Sequence, residues 1–453
     1  MKTAYEFINY VSYLWPRRKT WLGLALSFIG VLGIYISLSL NNEMLLAIVL
    51  VGNIIFWAFD SGRLVFPSKK ITIAFALKPI KPESHSIIEQ TILKLFEKLK
   101  SIGAANKFRV LVIGSDIFST NEQAEKYVKK KKVKLVIHGN VWNEKKGDAY
   151  IFDLKNFFFS YMIGAGKNSP QYELIQNDIN LMLVNRDWRI EEINSLSDLD
   201  KVSNNLVEIV LSIVAISLAT FPGENAKLSI SLIEQLLPFL DKHLKPEERK
   251  IRVKKDNTLE ISINVLRSGR LRTILHDCYI IVGDTLLQKE EYKESFHHFE
   301  KALKIGGAPL QSLTGMAVSS YFLKNIDDAW HYSEELQKLN KHHPNYAVNL
   351  AFLSIVKRQY SEAEKYYEIA RSIIKKMSSE PRKQYVSNIV SFLNQRLSET
   401  PSEIGYNYAI GILIYNFIDK EKGKIQLRKF YSIACTLSEY IEMKETTKLI
   451  LKA

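Results

Sequence analysis

The alternation of apolar and polar positions changes character twice along the chain, and each change predicts a different kind of element. From Trp21 to Leu40 the run WLGLALSFIGVLGIYISLSL contains no charged residue. A helix of that length, rising 1.5 Å per residue, would cross a hydrocarbon core of about 30 Å. Asn41, Asn42 and Glu43 interrupt it, and Met44 to Phe59 forms a second uncharged run. Together the runs predict a transmembrane hairpin, the shorter second span accommodated by tilt or thinning. A cleaved signal peptide is the competing reading. The first run is long for one, lacks a small-residue cleavage site and is followed at once by a second run.

Beyond Lys70 the pattern becomes strand, helix, strand, helix, strand. Ile71 to Leu77 reads as a buried strand, bounded by Pro79 and Pro82. Ser84 to Ile102 reads as an amphipathic helix with Ile88, Ile92, Leu95, Phe96 and Leu99 on its apolar stripe. Phe108 to Ile113 is a second strand, Thr120 and Gln123 a capping box for a second helix, and Val133 to His138 a third strand ending at Gly139. Ala149 to Leu154 and Phe157 to Ile163 predict two more strands, paired with each other. Such alternation predicts a small α/β domain with parallel pairing. The order around VKLVIHGNVW, over about residues 70–155, resembles the amino-terminal domain of TolB-like proteins. It also resembles the domain that some membrane-bound bacterial repeat proteins carry before their repeats. TolB itself is periplasmic, whereas this domain is expected on the cytoplasmic side.

From Asn204 onward the periodicity is helical. Asn204 to Phe221 is a long apolar helix, interrupted by Glu208, ended by Pro222 and Gly223 and followed by an amphipathic helix from Ala226 to Leu240. The stretch KIRVKKDNTLEISINVL alternates like a hairpin around Asp256-Asn257. Then a period of 34 appears: Tyr292, Ile326 and Tyr360; Ser295, Ala329 and Ala363; Phe299, Ser333 and Tyr367; Ala302, Leu336 and Ala370. With Tyr279, Gly283, Ala317 and Ala351, this large-small pattern resembles the tetratricopeptide repeat family, whose unit is a pair of helices. No such unit buries its apolar face alone, so about three must stack between atypical ends. The regions 204–240 and after Lys383 are the candidate ends.

The expected fold class is therefore α plus α/β. A two-helix transmembrane hairpin with basic flanks occupies 1–66, a small α/β domain 67–200, and a tetratricopeptide-like helical solenoid 201–453, with clear repeats over 276–377.

Charge then adds orientation and partners. The formal net charge is +14, which attracts anionic lipid or nucleic acid. Arg17, Arg18 and Lys19 precede the first apolar run, and Arg63, Lys69 and Lys70 follow the second, while the turn between holds no Lys or Arg. The positive-inside rule then places both termini in the cytoplasm, with two spans in the inner (plasma) membrane. Trp15, Trp21 and Trp57 fall where interfacial aromatics belong. Gly23, Ser27 and Gly30 permit close helix approach, either within the hairpin, the reading adopted here, or between copies as a homo-oligomer. Lys126, Lys129, Lys130, Lys131, Lys132 and Lys134 form the densest basic cluster, balanced between a solvated helix end and a contact with anionic head groups. Anionic-lipid contact is therefore expected at Arg17, Arg18, Lys19, Lys69, Lys70, Lys129, Lys130, Lys131 and Lys132.

The family resemblance implies a concave groove lined by the first helix of each repeat, receiving a peptide or helix of a protein partner. Mapped onto this chain, it would present Asp277, Ile280, Asp284 and Leu287; Gln311, Thr314, Val318 and Tyr321; and Asn345, Val348, Phe352 and Ile355. Mostly apolar with two aspartates, it suits an apolar segment carrying a basic residue better than a carboxylate terminus.

Catalytic motifs do not emerge. Ile163 to Ser169 (IGAGKNS) has Tyr161 and Asn168 where a phosphate loop needs glycine and Ser or Thr, and Ser169 where a dinucleotide fingerprint needs its third glycine. His297-His298 and His342-His343 are adjacent pairs, whose side chains diverge by about 100° on a helix and cannot chelate alone. His276, Asp277 and Cys278 adjoin only in sequence. Two cysteines, Cys278 and Cys435, build no disulfide framework. The chain is read as a scaffold or adaptor that is not an enzyme and uses no cofactor or metal. The alternative is a nucleic-acid- or nucleotide-sensing regulator acting through the basic α/β domain, although no nucleic-acid-binding pattern accompanies the charge.

Overall fold

The computed structural model describes residues 24–25, 27–29, 31–32, 43–61, 70–79, 83–131, 133–146, 149–153, 157–161, 170–183, 189–193, 196–219, 224–243, 252–253, 259–260 and 263–452. The chain divides into two compact units, Met1–Cys278 and Tyr279–Ala453.

The first unit corrects the membrane expectation. Its first full helix, α1 (Glu43–Asp60), has 18 residues and so reaches about 27 Å, short of a hydrocarbon core of about 30 Å. An acidic residue stands at each end. Among the described residues no helix is long and apolar enough to cross a membrane. The two-span placement in an inner membrane with cytoplasmic termini is therefore withdrawn. Ser27 Oγ donates to Asn53 Oδ1 at 3.0 Å, and Asn53 Nδ2 donates to Ser27 Oγ at 2.8 Å. Trp57, expected at an interface, is buried, and the Gly114 amide donates to the Ser61 carbonyl at 2.7 Å. Gly23, Gly30, Trp15 and Trp21 lie outside the described residues.

The α/β body alternates β1 (Ile71–Pro79), α2 (Glu83–Ser101), β2 (Phe108–Val112), α3 (Asn121–Lys131) and β3 (Leu135–Lys146). Strand β1 pairs in parallel with both β2 and β3. Every residue from Ile71 to Ala76 is buried, as befits a central parallel strand covered on both faces. Ala74 and Ala76 pack with Ala124, Tyr127 and Val128 of α3, and Leu95 and Leu99 of α2 are fully buried. Phe96, expected on that stripe, is 41% exposed instead. The cap of α3 is a variant of the expected box. The Gln123 amide donates to Thr120 Oγ1, but the Gln123 side chain accepts from the Ser119 amide rather than from Thr120.

Strand β3 does not stop at Gly139. That residue takes a φ of 137°, which glycine tolerates best, and the strand continues through Lys146. Its first half pairs antiparallel with β5 (Phe157–Tyr161), and its second half with β4 (Ala149–Asp153), which in turn pairs with β6 (Arg189–Ile193). The expected β4–β5 pair is thus replaced by two strands sharing β3, in a mixed sheet.

Helices α4 (Pro170–Leu183), α5 (Leu196–Ala219) and α6 (Glu224–His243) pack together, and α5 also packs on α2. Glu208, the charge inside the apolar helix, is buried and faces the buried guanidinium of Arg267. In the stretch that alternates like a hairpin, β7 (Arg252–Val253) and β8 (Leu259–Glu260) form a short antiparallel pair; Asp256-Asn257 lies outside the described residues. The amino-terminal half of α7 (Ile263–Gln288) belongs to this unit. Arg270 holds Asp178 of α4 through two bonds of 2.5 and 2.8 Å, and Arg272 and Ser268 hold Asp241 of α6.

The second unit is helical throughout. The rest of α7 pairs with α8 (Tyr292–Ile305), α9 (Pro309–Phe322) with α10 (Ile326–Leu339), and α11 (Pro344–Val356) with α12 (Tyr360–Lys375). Tyr292, Ile326 and Tyr360 each open the second helix of their pair. Ser295, Ala329 and Ala363, and likewise Phe299, Ser333 and Tyr367, are all buried to 1% exposure or less. This is a tetratricopeptide-like solenoid of three stacked pairs.

The turns within the pairs also repeat every 34 residues. Glu290, Lys324 and Arg358 hold φ values of 64°, 66° and 58°. At each turn the next amide bonds back across the helix end: Glu291 to Leu286 at 3.0 Å, Asn325 to Ser320 at 2.9 Å, and Gln359 to Ser354 at 2.8 Å. These are Schellman motifs with a non-glycine residue in the left-handed position. Lys324→Gly should therefore stabilise the protein by about 0.5–1 kcal/mol, since relief of left-handed strain exceeds glycine's extra chain entropy. Urea denaturation of the full chain reads this as a higher midpoint with an unchanged slope.

After α12 the large-small residue pattern fails, although the next helix starts 35 residues after α11, as α11 does after α9. Helix α13 (Ser379–Glu399) has 21 residues, and α14 (Gly405–Phe417), α15 (Lys420–Ala434) and α16 (Ile441–Lys452) follow. Helices α14 and α15 approach closely because a Cβ on Gly423 would lie 2.4 Å from the Tyr415 backbone, and one on Gly411 2.8 Å from Leu427.

Candidate functional site: the concave face of the repeats

The resemblance expects the first helix of each pair to line a groove. Proline at the first position sets the entry of α9 (Pro309) and α11 (Pro344), where its missing N–H costs nothing. His343 caps α11: its Nδ1 accepts from the Asn345 amide at 3.3 Å. Burial lowers its pKa, which favours the neutral ring that can accept.

The predicted wall residues separate into two groups. On α7, Asp284 is exposed, Leu287 half-buried and Ile280 buried, while Asp277 is exposed on the part of α7 that belongs to the first unit. On α9, Gln311 is exposed, and Thr314, Val318 and Tyr321 are half-buried. Asp284 keeps contact with solvent, yet desolvation by the surrounding protein raises its carboxyl pKa. Both hold together where water reaches a group that protein largely surrounds.

The third-repeat residues are already engaged. Val348, Phe352 and Ile355 are all buried and belong to the hydrophobic core. Asn345 donates to Thr314 Oγ1 at 3.3 Å and accepts from the Tyr385 hydroxyl at 2.8 Å. Phe352 meets Tyr321 and Phe392 with ring centroids 4.8 and 5.1 Å apart. The Arg396 guanidinium lies 5.2 Å over Phe322 and 5.6 Å over Phe392, a cation–π arrangement.

Tyr385, Phe392 and Arg396 all belong to α13. Tyr385 and Phe392, two turns apart, meet Asn345 and Phe352, also two turns apart, so α13 runs parallel to α11. This is the end of the solenoid that the sequence placed after Lys383: α13 begins 35 residues after α11, as α11 does after α9. Continuing the 34-residue period puts Pro401 where Phe299, Ser333 and Tyr367 stand, and proline is excluded from a helix interior. The fourth unit therefore could not repeat the first three.

The other candidates are dispersed. Lys70, Lys126, Lys129 and Lys130 are exposed and Lys131 partly so. Arg17, Arg18, Lys19, Lys69 and Lys132 lie outside the described residues, as does 163–169. No group of three His, Cys, Asp or Glu residues among the described residues is placed to hold a metal. The Cys278 thiol is buried, its pKa pushed up to about 11 by desolvation, so its resting form is the poorly nucleophilic thiol. His298 packs its ring 5.5 Å from that of Tyr279, and His297 faces Glu300 at 3.5 Å.

No family model matches this chain, and no curated protein matches it; the TolB-like resemblance finds no support there. Among solved structures, the crystal structure of yeast Tom70 is similar at 10% identity, covering 62% of this chain and 78% of that one, with a TM-score of 0.21. At that score the likeness carries no weight, and the tetratricopeptide-like reading of this chain stands on its own helix pairs and their 34-residue register.

Proposed function

We propose that the second unit is a protein-binding scaffold whose concave wall takes up a helix or extended segment of a partner. The observation that carries this reading is the open stretch of wall on the first two pairs. Leu287, Thr314 and Val318 form its half-exposed floor, with Asp284 and Gln311 at the side. Stacked helix pairs create such continuous inner surfaces without further design. An apolar floor beside a carboxylate suits a segment that presents an aliphatic face and a lysine or arginine. Such a pairing would act against the desolvation that raises the Asp284 carboxyl pKa.

The test is affinity purification of the full chain beside Val318→Glu and Asp284→Lys variants. A partner recovered in near-equal amount with the unaltered chain should fall at least about tenfold with either variant, roughly 1.4 kcal/mol. A partner retained by both variants would remove the groove from the reading. Tyr321 and Phe352 are unsuitable for this test, because α13 covers them.

A further inference from the structure

We propose that α1 is a docking face for a second copy of this chain, met through the stripe Met44, Ile48, Val51 and Ile55. The inference is independent of the scaffold reading above, because α1 belongs to the first unit.

The helix carries two stripes on opposite sides. Leu46, Leu50, Asn53 and Trp57 form one, spaced four, three and four residues apart, and each is buried or half-buried. Asn53 and Ser27 bond to each other, so this stripe faces its own chain. Met44, Ile48, Val51 and Ile55 form the other, with the same spacing. At 3.6 residues per turn it lies on the far side of the helix. Its members are all exposed, from 49% at Ile55 to 74% at Met44.

Spacing of four, three and four is that of the seam between paired helices, where apolar residues recur every 3.5 positions. Val49, Ile54 and Phe56 flank the seam and are exposed as well. A helix that is apolar all round belongs in a buried setting, yet only one side of α1 has a cover among the described residues. The seven side chains together present on the order of 700 Å², close to the roughly 800 Å² that each partner buries in a standard interface. A monomer rarely leaves an apolar patch that large uncovered.

A second copy fits this surface better than an unlike partner does. No charge lies between Met44 and Phe59, and Glu43 and Asp60 stand at the two ends, so two seams meet without like charges inside the contact. A two-fold pair sets one patch against itself, and a uniform aliphatic stripe is complementary to its own image. Selecting an unlike partner takes a polar or charged feature, which the stripe does not contain. Gly52 stands beside the stripe, and a Cβ added there would meet nothing within 4 Å, which leaves room for a second backbone to approach.

Sedimentation velocity of the purified full chain tests the proposal, and a dimer at micromolar concentration is expected. Val51→Glu and Val51→Lys should each weaken it at least about a hundredfold, because a two-fold pair brings each new charge near its own copy. Mixing the two variants should bring the dimer back to within about tenfold of the unaltered strength, since opposite charges then meet. An unaltered chain that stays monomeric, a dimer indifferent to both substitutions, or a mixture that stays monomeric would overturn the proposal. A monomeric chain that floats with phosphatidylcholine vesicles would overturn it in favour of lipid as the cover. If either charged variant loses helicity, the double variant Ile48→Ser, Ile55→Ser replaces the pair, because it trims the seam without adding charge. It should weaken the dimer at least tenfold, and an unchanged dimer would again overturn the assignment.

Discussion

Phe299→Ala is expected to destabilise the second unit by about 3–5 kcal/mol, the usual cost of deleting a buried phenyl ring. Phe299 is 1% exposed, and its ring joins the first two pairs by resting on glycines. A Cβ built on Gly283 would lie 2.9 Å from the ring and one on Gly315 2.4 Å from it. The second distance implies a coupled effect. Gly315→Ala alone forces the ring out of place and should itself cost about 1–3 kcal/mol. In the double variant the new methyl group enters space the ring has vacated. The two losses should then fall short of their sum by at least about 1 kcal/mol, as expected of residues in direct contact. Urea denaturation followed by helicity gives all four corners of the cycle. Strict additivity would mean that ring and glycine do not meet.

The same pair of positions shows how far the sequence can be read. At the equivalent positions of the next repeat stand Ser333 and Asn349, a small residue in place of the ring and a larger one in place of the glycine. Volume is exchanged across the contact. Ser333 looks like a departure from the pattern until the residue opposite is considered, and a single-position pattern cannot supply that partner. The helix pairs, their starts at Tyr292, Ile326 and Tyr360 and their buried small residues were all legible, because each depends on local period and residue size. The parallel strands β1, β2 and β3 were legible for similar reasons, as short apolar runs alternating with helices.

What escaped were the long-range choices. Residues 149–154 and 157–163 look like a hairpin because they are adjacent, but β3 is long enough to offer each a separate half, and Gly139 lets that strand bend between them. The wall residues were legible as a list of positions. Their availability was not, since it depends on how the side chains of the neighbouring helix α13 pack, with Phe392 against Tyr321 and Phe352. Apolar length near the amino terminus suggested membrane spans, whereas α1 is an 18-residue helix with acidic ends and an Asn53 side chain bonded to Ser27. A count of uncharged residues does not register where the helix itself begins and ends.

Glu364 carries the other large effect, because it fastens the last helices to the third repeat. It is 8% exposed and accepts hydrogen bonds from the Tyr408 hydroxyl of α14, from the Thr446 hydroxyl of α16 at 3.1 Å and from Arg371 at 3.3 Å. Nearby, Glu403 accepts from the hydroxyls of Tyr360 and Tyr440 at 3.1 and 3.2 Å. Removing the Glu364 carboxylate leaves Tyr408 and Arg371 without this acceptor. Glu364→Ala should therefore cost about 3 kcal/mol, the low end for breaking a buried pair, since the Arg371 side chain keeps 19% of its exposure.

The pH dependence has a definite sign. Desolvation raises the Glu364 carboxyl above its ordinary range and outweighs the lowering by Arg371, Tyr408 and Thr446. The folded state thus holds this proton more tightly than the unfolded chain does. Its contribution is fully present below the unfolded pKa of about 4.3 and is lost as pH rises through the folded value. Glu364→Gln keeps an acceptor for Tyr408 but cannot titrate. The stability advantage of the unaltered protein over Glu364→Gln should accordingly shrink between about pH 4 and pH 7, the interval that begins at the unfolded carboxylate pKa. Parallel urea titrations of the two proteins at both pH values measure that difference, with every other titrating group cancelling. A difference that grew toward neutral pH would show that Arg371 and the two hydroxyls dominate over burial, and that the carboxylate, not the acid, holds the carboxy-terminal helices in place.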